Sequence, residues 1–270
     1  MDSGVYRNAL FSGEIPRKPF SKNTVHWFMK LPMLSVLAVL TALLVAPSPA
    51  FSQAQFHVFP QFADGRASDG TYYRSTITIL PWSGAASAPN CTFVLYGMTA
   101  TFDTGASGYY FTAYVPPGTM LSAPTSGTQA LQTGYATLNC TDYVYAHVLY
   151  TYYAQDSHKL GEATVFSSPE SALSRMAFDV RGGVRQAFAI ANNTDFNRSY
   201  LVSLGSGGVT RSARVVVPAR RNLARFADEL LSVVPESIGI LTIQSDDLSS
   251  FSTTGFRYTG GVFTTIPPGN

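Results

Sequence analysis

The stretch Tyr72-Tyr-Arg-Ser-Thr-Ile-Thr-Ile-Leu80 decides the fold class, because its side chains alternate in character along the chain. Positions 73, 75, 77 and 79 fall on one face of an extended strand, whereas the polar Arg74, Thr76 and Thr78 fall on the other. Such a period of two over nine residues is typical of a strand that buries one face and leaves the other in water.

Similar runs continue along the chain, and Gly, Pro, Asn and Asp separate them. They are Cys91–Tyr96, Tyr109–Val115, Gly134–Cys140 and Asp142–Ala154. Short alternating runs between turn residues predict an all-β sandwich or barrel. The spacing also predicts one short helix in the second half, which starts at an Asn222 cap and ends before Pro235. Its apolar stripe comprises Leu223, Phe226, Ala227, Leu230 and Leu231.

The second half of the chain repeats the plan of the first. Gly134–Asp142 matches Gly239–Asp247 at an offset of 105 residues, with Gly, Thr and the final Asp in common. Two further matches in the same order are Tyr114-Val-Pro-Pro117 with Val216-Val-Pro-Ala219, and Phe93–Tyr96 with Tyr200–Ser203. Ordered matches at similar offsets indicate a duplication. The sequence therefore predicts two tandem β-sandwich domains, residues 55–168 and 174–270, joined by a Ser-rich linker.

Residues 1–54 are predicted to be a signal peptide. An uncharged apolar run at 31–47 follows Lys30 and precedes small residues, with cleavage expected after Ala50 or Ala54. The preceding segment is long for such a peptide, and Met29 offers an ordinary alternative start. An uncleaved membrane anchor is the competing interpretation, although 17 residues are short for a span of about 20. No later segment is apolar enough to cross a membrane, so we expect an exported protein that is periplasmic, extracellular or at the cell surface.

The charge balance gives no reason to expect nucleic acid as a partner. Five of the 18 basic and two of the 16 acidic residues precede residue 55, which leaves 13 against 14 and a net charge of −1. A chain with this balance has no overall field that attracts a polyanion.

The two cysteines, Cys91 and Cys140, are predicted to form a disulfide. The alternation places Cys91 on the face of Phe93 and Leu95, and Cys140 on the face of Ala136 and Leu138. Two inward cysteines in an exported chain favour a disulfide over two buried free thiols. A pair of cysteines alone does not indicate structural zinc.

No motif for catalysis stands out. The histidines after residue 55 are His57, His147 and His158, and none has a partner at metal-ligand spacing. No Gly-x-Ser-x-Gly elbow is present, and the adjacent Asp246 and Asp247 point to opposite faces of a strand. The sequence therefore predicts no catalytic residue, no metal ligand and no cofactor.

Tyrosines are the candidate binding residues. An aromatic strand face docks protein partners or stacks on sugar rings when it is exposed, and fills a core when it is buried. Both interpretations apply to the aromatic run in Asp142–Ala154, which consists of Tyr143, Tyr145, Tyr150, Tyr152 and Tyr153. Tyr72, Tyr73, Tyr109 and Tyr110 are additional candidates of the same kind.

Several motifs resemble those of exported bacterial proteins built from repeated immunoglobulin-like modules. They are the opening Phe59-Pro-Gln-Phe-Ala-Asp-Gly65, the turn Val115-Pro-Pro-Gly118, the segment Ala224–Leu230, and the closing Gly255-Phe-Arg-Tyr258 with Phe263-Thr-Thr-Ile-Pro267. The resemblance implies a bacterial, envelope-associated or secreted protein with two tandem immunoglobulin-like sandwiches. It implies no catalytic residues.

These features favour an exported, non-catalytic binding or structural protein, with a role in surface adhesion or in a matrix. The partner stays open between a protein and a glycan at the cell surface. Two alternatives remain, a periplasmic chaperone of the two-sandwich kind and a hydrolase with an unrecognised site.

Overall fold

The computed structural model describes residues 54–84, 87–233, 235–260 and 262–269. These residues are all-β, as predicted, with seventeen strands and one short α-helix in the described ranges. They belong to one compact unit, Ala50–Asn270. The predicted signal peptide, with its cleavage sites and the alternative start at Met29, lies outside the described residues except for Ala54.

The first half folds around one seven-stranded antiparallel sheet. Its strands, together with the small two-stranded sheet of β4 and β5, are β1 (Ala54–Arg66), β2 (Tyr72–Pro81), β3 (Asn90–Tyr96), β4 (Ala100–Thr101), β5 (Ser107–Gly108), β6 (Tyr110–Tyr114), β7 (Leu121–Pro124), β8 (Gln132–Tyr153) and β9 (Lys159–Phe166).

The 22-residue strand β8 belongs to two layers of this sheet. Its beginning pairs with β3 and β1, which gives the layer β6-β3-β8-β1. Its end pairs with β2 and β9, which gives the layer β7-β2-β8-β9. Phe93 and Leu138 of the first layer share one core with Ile77 and Val148 of the second. The sheet therefore bends along β8 so that its two layers face each other.

The second half consists of two four-stranded sheets, β10-β15-β12-β13 and β14-β11-β16-β17. Their inner faces share a second core that includes Phe178, Phe188, Tyr200 and Ile243. The elements are β10 (Leu173–Asp179), a 3-10 turn (Arg181–Gly183), β11 (Arg185–Asn192), β12 (Arg198–Ser206), β13 (Val209–Val217), β14 (Arg221–Phe226), α1 (Ala227–Leu231), β15 (Ile238–Ser245), β16 (Ser252–Thr259) and β17 (Val262–Ile266).

The two halves have the same strand order. The layer β1-β8-β3-β6 corresponds to β10-β15-β12-β13, and the layer β7-β2-β8-β9 corresponds to β14-β11-β16-β17. The ladders also adjust one sequence match. Cys140 lies opposite Cys91, and Ser245, its match in the second half, lies opposite Tyr200. The sequence match aligns Tyr200 with Phe93. The ladders instead align Tyr200 with Cys91, two positions earlier in the chain.

The sheet β14-β11-β16-β17 packs on both of its faces. Along β11, Phe188 and Ile190 point into the core of the second half, whereas Ala187 and Ala189 point into the core of the first. Small side chains on the second face let the backbones of the two halves approach closely. Phe256 of β16 also packs in the first core, so apolar packing is continuous between the halves.

The predicted linker is hydrogen-bonded to both halves. The Ser168 amide donates to the Val58 carbonyl oxygen at 2.9 Å, and the Ser168 hydroxyl accepts from the Thr253 amide at 3.2 Å. The predicted boundary between residues 55–168 and 174–270 falls in this segment, and the division into two domains stays a prediction.

The predicted helix start at Asn222 is wrong. Residues 221–226 form β14, which pairs with β11 along its length, and only Ala227–Leu231 are helical. The edge of β11 provides backbone partners that outweigh the local helical spacing. The Asn222 side-chain amide does not cap a helix but donates to the Gly134 carbonyl oxygen at 2.9 Å and to Gln61 Oε1 at 2.7 Å.

The predicted disulfide between Cys91 and Cys140 is confirmed. Both side chains are buried, and the bond joins neighbouring strands of one layer. In antibody domains the conserved disulfide joins the two sheets instead. The immunoglobulin-like assignment stays a prediction.

Candidate functional site

The five tyrosines singled out in the sequence divide between two faces of β8. Tyr150 is 3 % exposed and Tyr152 packs against the first core, so both lie on the inner face. Tyr143, Tyr145 and Tyr153 lie on the outer face, because side chains alternate along a strand. The five therefore form no single surface.

Ring stacking with the neighbouring strand β2 occupies two of these tyrosines. Tyr152 stacks on Tyr73 with ring centroids 4.7 Å apart, and Tyr153 stacks on Tyr72 at 4.8 Å. Cross-strand aromatic pairs of this kind stabilise a sheet. Tyr143, at 45 % exposure, is the member of the set that is most open to solvent.

A different group of tyrosines is more exposed. Tyr109, Tyr110 and Tyr114 are 59 %, 53 % and 69 % exposed, and we call them the edge tyrosines. Tyr110 and Tyr114 alternate along β6 with Phe111 and Ala113, which pack against the first core. The strand predicted over Tyr109–Val115 is present as β6, and Tyr109 and Tyr110 are among the tyrosines that the sequence offers as additional binding candidates.

Strand β6 lies at the edge of its layer. It pairs with β3 on one side, and within the described ranges no strand pairs with its other side. An edge strand presents unpaired backbone N–H and C=O groups to a partner. Here those groups lie beside large aromatic side chains, which are the residues that most often carry binding energy at protein interfaces.

An open cleft of about 560 Å³ borders Tyr109. Tyr96, which stacks on Tyr135 at 4.5 Å, and Arg220 and Arg221 line it. Asp195 accepts a hydrogen bond from Arg220 Nε at 2.8 Å, and this bond raises the pKa of Arg220 above its ordinary value. Arg221 has no ion pair with any described residue. The cleft thus adds an unpaired cation to the aromatic edge.

His57 and His147 both lie in strands and contact neighbouring side chains. His57 is buried, and its Nδ1 lies 2.9 Å from Ser167 Oγ, so the pair ties β1 to the segment that follows β9. Burial lowers the pKa of His147, which lies 6.3 Å from Phe166 between ring centroids. In the part of the chain that the structure describes, no three His, Cys, Asp or Glu side chains cluster as they would around a metal ion.

The opening motif of the resemblance has a structural role. Phe59 and Phe62 both point into the core across a bulge in β1. Asp64 is buried and accepts hydrogen bonds from the Gly127 amide at 3.2 Å and from Gln129 Nε2 at 3.1 Å. Burial raises the pKa of Asp64, although these bonds oppose the shift. The motif therefore shapes a strand end and a loop and does not line the β6 edge.

No family model matches the chain, and neither the curated proteins nor the solved structures contain a match. Among the described residues, no helix has the length and hydropathy required to cross a bilayer.

Proposed function

We propose that the protein is an exported, non-catalytic binding protein that docks its partner along the β6 edge. The observation that carries this proposal is the conjunction of an unpaired edge strand with the three exposed edge tyrosines. A partner strand that adds to this edge gains backbone hydrogen bonds from β6 and aromatic contacts from its outer face. The bordering cleft, with Arg221, favours a partner that carries acidic or hydroxyl groups.

Export rests on the signal-peptide pattern of the sequence, and the buried disulfide is compatible with it, since disulfides persist mainly outside the cytosol. We place the protein among the exported bacterial proteins with tandem immunoglobulin-like modules, on the strength of the motifs quoted above. The repeated strand order supports that placement. The location stays open between the periplasm, the cell surface and the medium.

The test is retention of the full-length protein, processed by its own leader, on arrayed glycans and on isolated bacterial cell envelopes. The test variant changes all three edge tyrosines to Ser. The control variant changes two aromatic residues elsewhere, Tyr143→Ser and Phe196→Ser, which are also exposed. We expect the test variant to weaken binding by well over tenfold, because buried aromatic anchors each contribute about 2 kcal/mol or more.

Equal binding by the test variant and the wild type would exclude the edge as the docking site. Loss of binding in the control variant alone would place the docking site at Tyr143 or Phe196 instead of the β6 edge. Co-purification with pilus subunits would favour the chaperone alternative, and turnover of model esters or glycosides would favour a hydrolase.

A further inference from the structure

The backbone groups of β6 alternate between its neighbour β3 and the side on which no described strand pairs. The Leu95 amide donates to the Tyr109 carbonyl oxygen at 2.6 Å, and the Val115 amide donates to the Pro89 carbonyl oxygen at 3.1 Å. Successive residues of an antiparallel strand direct their N–H and C=O groups to opposite sides, so the odd-numbered residues bond to β3. The even-numbered residues of β6 therefore direct theirs to the unpaired side, and these are Tyr110, Thr112 and Tyr114.

The edge of β6 lacks the features that usually prevent strand pairing. Natural edge strands are protected by charged side chains, by proline or by a bulge. β6 contains neither a charge nor a proline, and it pairs with β3 without a register shift. No charged residue occurs in the sequence from position 104 to position 141. A partner strand at this edge therefore leaves no charge of β6 buried and unpaired.

The corresponding edge of the second half is protected. β13 has the place of β6 in the strand order, and it carries Arg211 and Arg214. Because Tyr200 corresponds to Cys91, the ladders align Arg214 with Thr112 at the middle of β6. Two strands with the same place in the two halves thus differ in the charge at their centres. This difference indicates that β6, and not β13, is suited to pairing.

The pattern of β6 is complementary to itself. When two copies of β6 meet antiparallel about a two-fold axis at Thr112, Thr112 faces Thr112 and Tyr110 faces Tyr114 of the second copy. Each copy directs three N–H and three C=O groups at the other, so all of them pair, in six hydrogen bonds. A shift of the axis by one residue brings Gly108 or Pro116, which lie outside β6, opposite a tyrosine.

The tyrosines add ring contacts to this pairing. The two-fold arrangement places Tyr110 beside Tyr114 of the second copy on one outer face, and it does so twice in each dimer. The molecule contains a pair of the same kind between β2 and β8, where Tyr72 stacks on Tyr153, the residue opposite it, with centroids 4.8 Å apart. Opposed aromatic residues on antiparallel strands stabilise a sheet. A second copy of the chain thus supplies rings at the positions where the rings of β6 lie.

We propose that two copies of the protein pair through β6 about a two-fold axis at Thr112. The pairing joins the layer β6-β3-β8-β1 of each copy into one continuous sheet of eight strands. This inference rests on the proposed docking at the β6 edge, and it names a second copy of the chain as the occupant of that edge before an envelope partner displaces it. The two occupants exclude each other, because they bind the same backbone groups.

The experiment is sedimentation equilibrium of the oxidised full-length protein, after export, over a range of concentrations. A pair of five-residue strands buries less than the roughly 1,200 Å² of a standard interface, so we expect a monomer–dimer equilibrium with a dissociation constant of about 10–100 µM. Below that concentration the edge is free for another partner.

The test variant is Thr112→Arg, which gives β6 the residue that β13 has at the aligned position. Two arginines then face each other at the axis, so we expect the dissociation constant of the dimer to rise at least about tenfold. The matched control is Thr210→Arg, because Thr210 is an exposed threonine of β13, and this variant is expected to dimerise as the wild type does. Both substitutions are at exposed positions, so we expect both variants to fold.

Variants of opposite charge locate the axis. Thr112→Glu alone is expected to dimerise as weakly as Thr112→Arg, for the same reason. An equimolar mixture of the two is expected to form a heterodimer at least as tight as the wild-type dimer, because residue 112 of one copy faces residue 112 of the other. This recovery also shows that neither variant has lost its fold.

A wild type that stays monomeric up to about 1 mM overturns the inference. So does a Thr112→Arg variant that dimerises as tightly as the wild type, or a mixture that stays monomeric. Sedimentation is measured without another partner, which keeps the docking proposal separate. A monomeric wild type whose retention on envelopes depends on the edge tyrosines contradicts the dimer alone, whereas a dimer whose retention is unchanged in the triple Ser variant contradicts the docking alone.

Discussion

Removal of the disulfide is expected to destabilise the first half by up to about 4 kcal/mol. Cys91 and Cys140 are 49 residues apart, and in the chain-entropy model a cross-link over a loop of this length removes about 14 cal/mol/K from the unfolded state. At 298 K that entropy corresponds to about 4 kcal/mol. The bond sits inside the core between neighbouring strands, so no compensating contact replaces it when both residues become Ala.

The assay is urea unfolding of the wild type with and without a reductant, beside the Cys91→Ala, Cys140→Ala double variant. With a slope of about 2 kcal/mol/M, the midpoint is expected to fall by about 2 M. The reduced wild type and the double variant are expected to behave alike, and the reductant is expected to leave the variant unchanged. Equal midpoints for the oxidised and the reduced wild type would refute the reasoning that the cross-link acts through the unfolded chain.

Three further changes test the packing and the buried groups. Ala189 is fully buried in the first core, so Ala189→Leu overfills the contact between the halves. The free energy of unfolding in urea is expected to fall by about 1–3 kcal/mol, and an unchanged value would mean that the contact is loosely packed. Gly65 has a φ of +110°, and a Cβ at this position would lie only 2.6 Å from the carbonyl oxygens of Gln129 and Ala130. Gly65→Ala is therefore expected to lower the free energy of unfolding by about 3 kcal/mol or more, and a variant as stable as the wild type would contradict this reasoning. Burial raises the pKa of Asp64, so the folded state binds more protons than the unfolded state above pH 3.8, and this residue's contribution to stability falls as the pH rises from 3.8 through the folded pKa. The stability of Asp64→Asn relative to the wild type is therefore expected to increase with pH in urea titrations, and a difference that does not change with pH would refute the buried ionisation.

Alternation along the strands predicted much of the first half. The core positions of Tyr72–Leu80 and the inward direction of both cysteines follow from a period of two. Strand β8 was expected as two strands, Gly134–Cys140 and Asp142–Ala154. The structure joins them into one strand because Thr141, the residue between them, is neither Gly nor Pro. The chain therefore continues directly from one layer into the other.

The second half shows where local pattern loses to tertiary pairing. The apolar residues from Leu223 to Leu231 fit a helical period. However, Arg221–Phe226 pair with β11 through backbone hydrogen bonds and form a strand instead. Short segments often satisfy both periods, and the partner strand then decides between them. The core of the second half is otherwise as the alternation predicts, with Leu241 and Ile243 inward.

The candidate sites were only partly visible in the sequence. Alternation along β6 predicts which of its residues share the outer face. Along β8, alternation does not tell which face is buried, because that depends on the side of the sheet on which the core lies. A cavity of about 340 Å³ between the halves joins residues such as Tyr73 and Tyr258 that are far apart in the chain, so no local pattern marks it. Packing of β1 against β11 and β16, and of β9 against β17, brings these residues together.

Hydrogen exchange tests the docking proposal most directly. The measurement compares the amides of the protein alone with those of the protein bound to the envelope protein that it retains. If a partner adds to the edge of the first layer, protection is expected to concentrate in Tyr110–Tyr114, where the backbone now has one free side. Protection elsewhere on the surface, with the amides of this strand exchanging at the same rate in both states, would contradict the account.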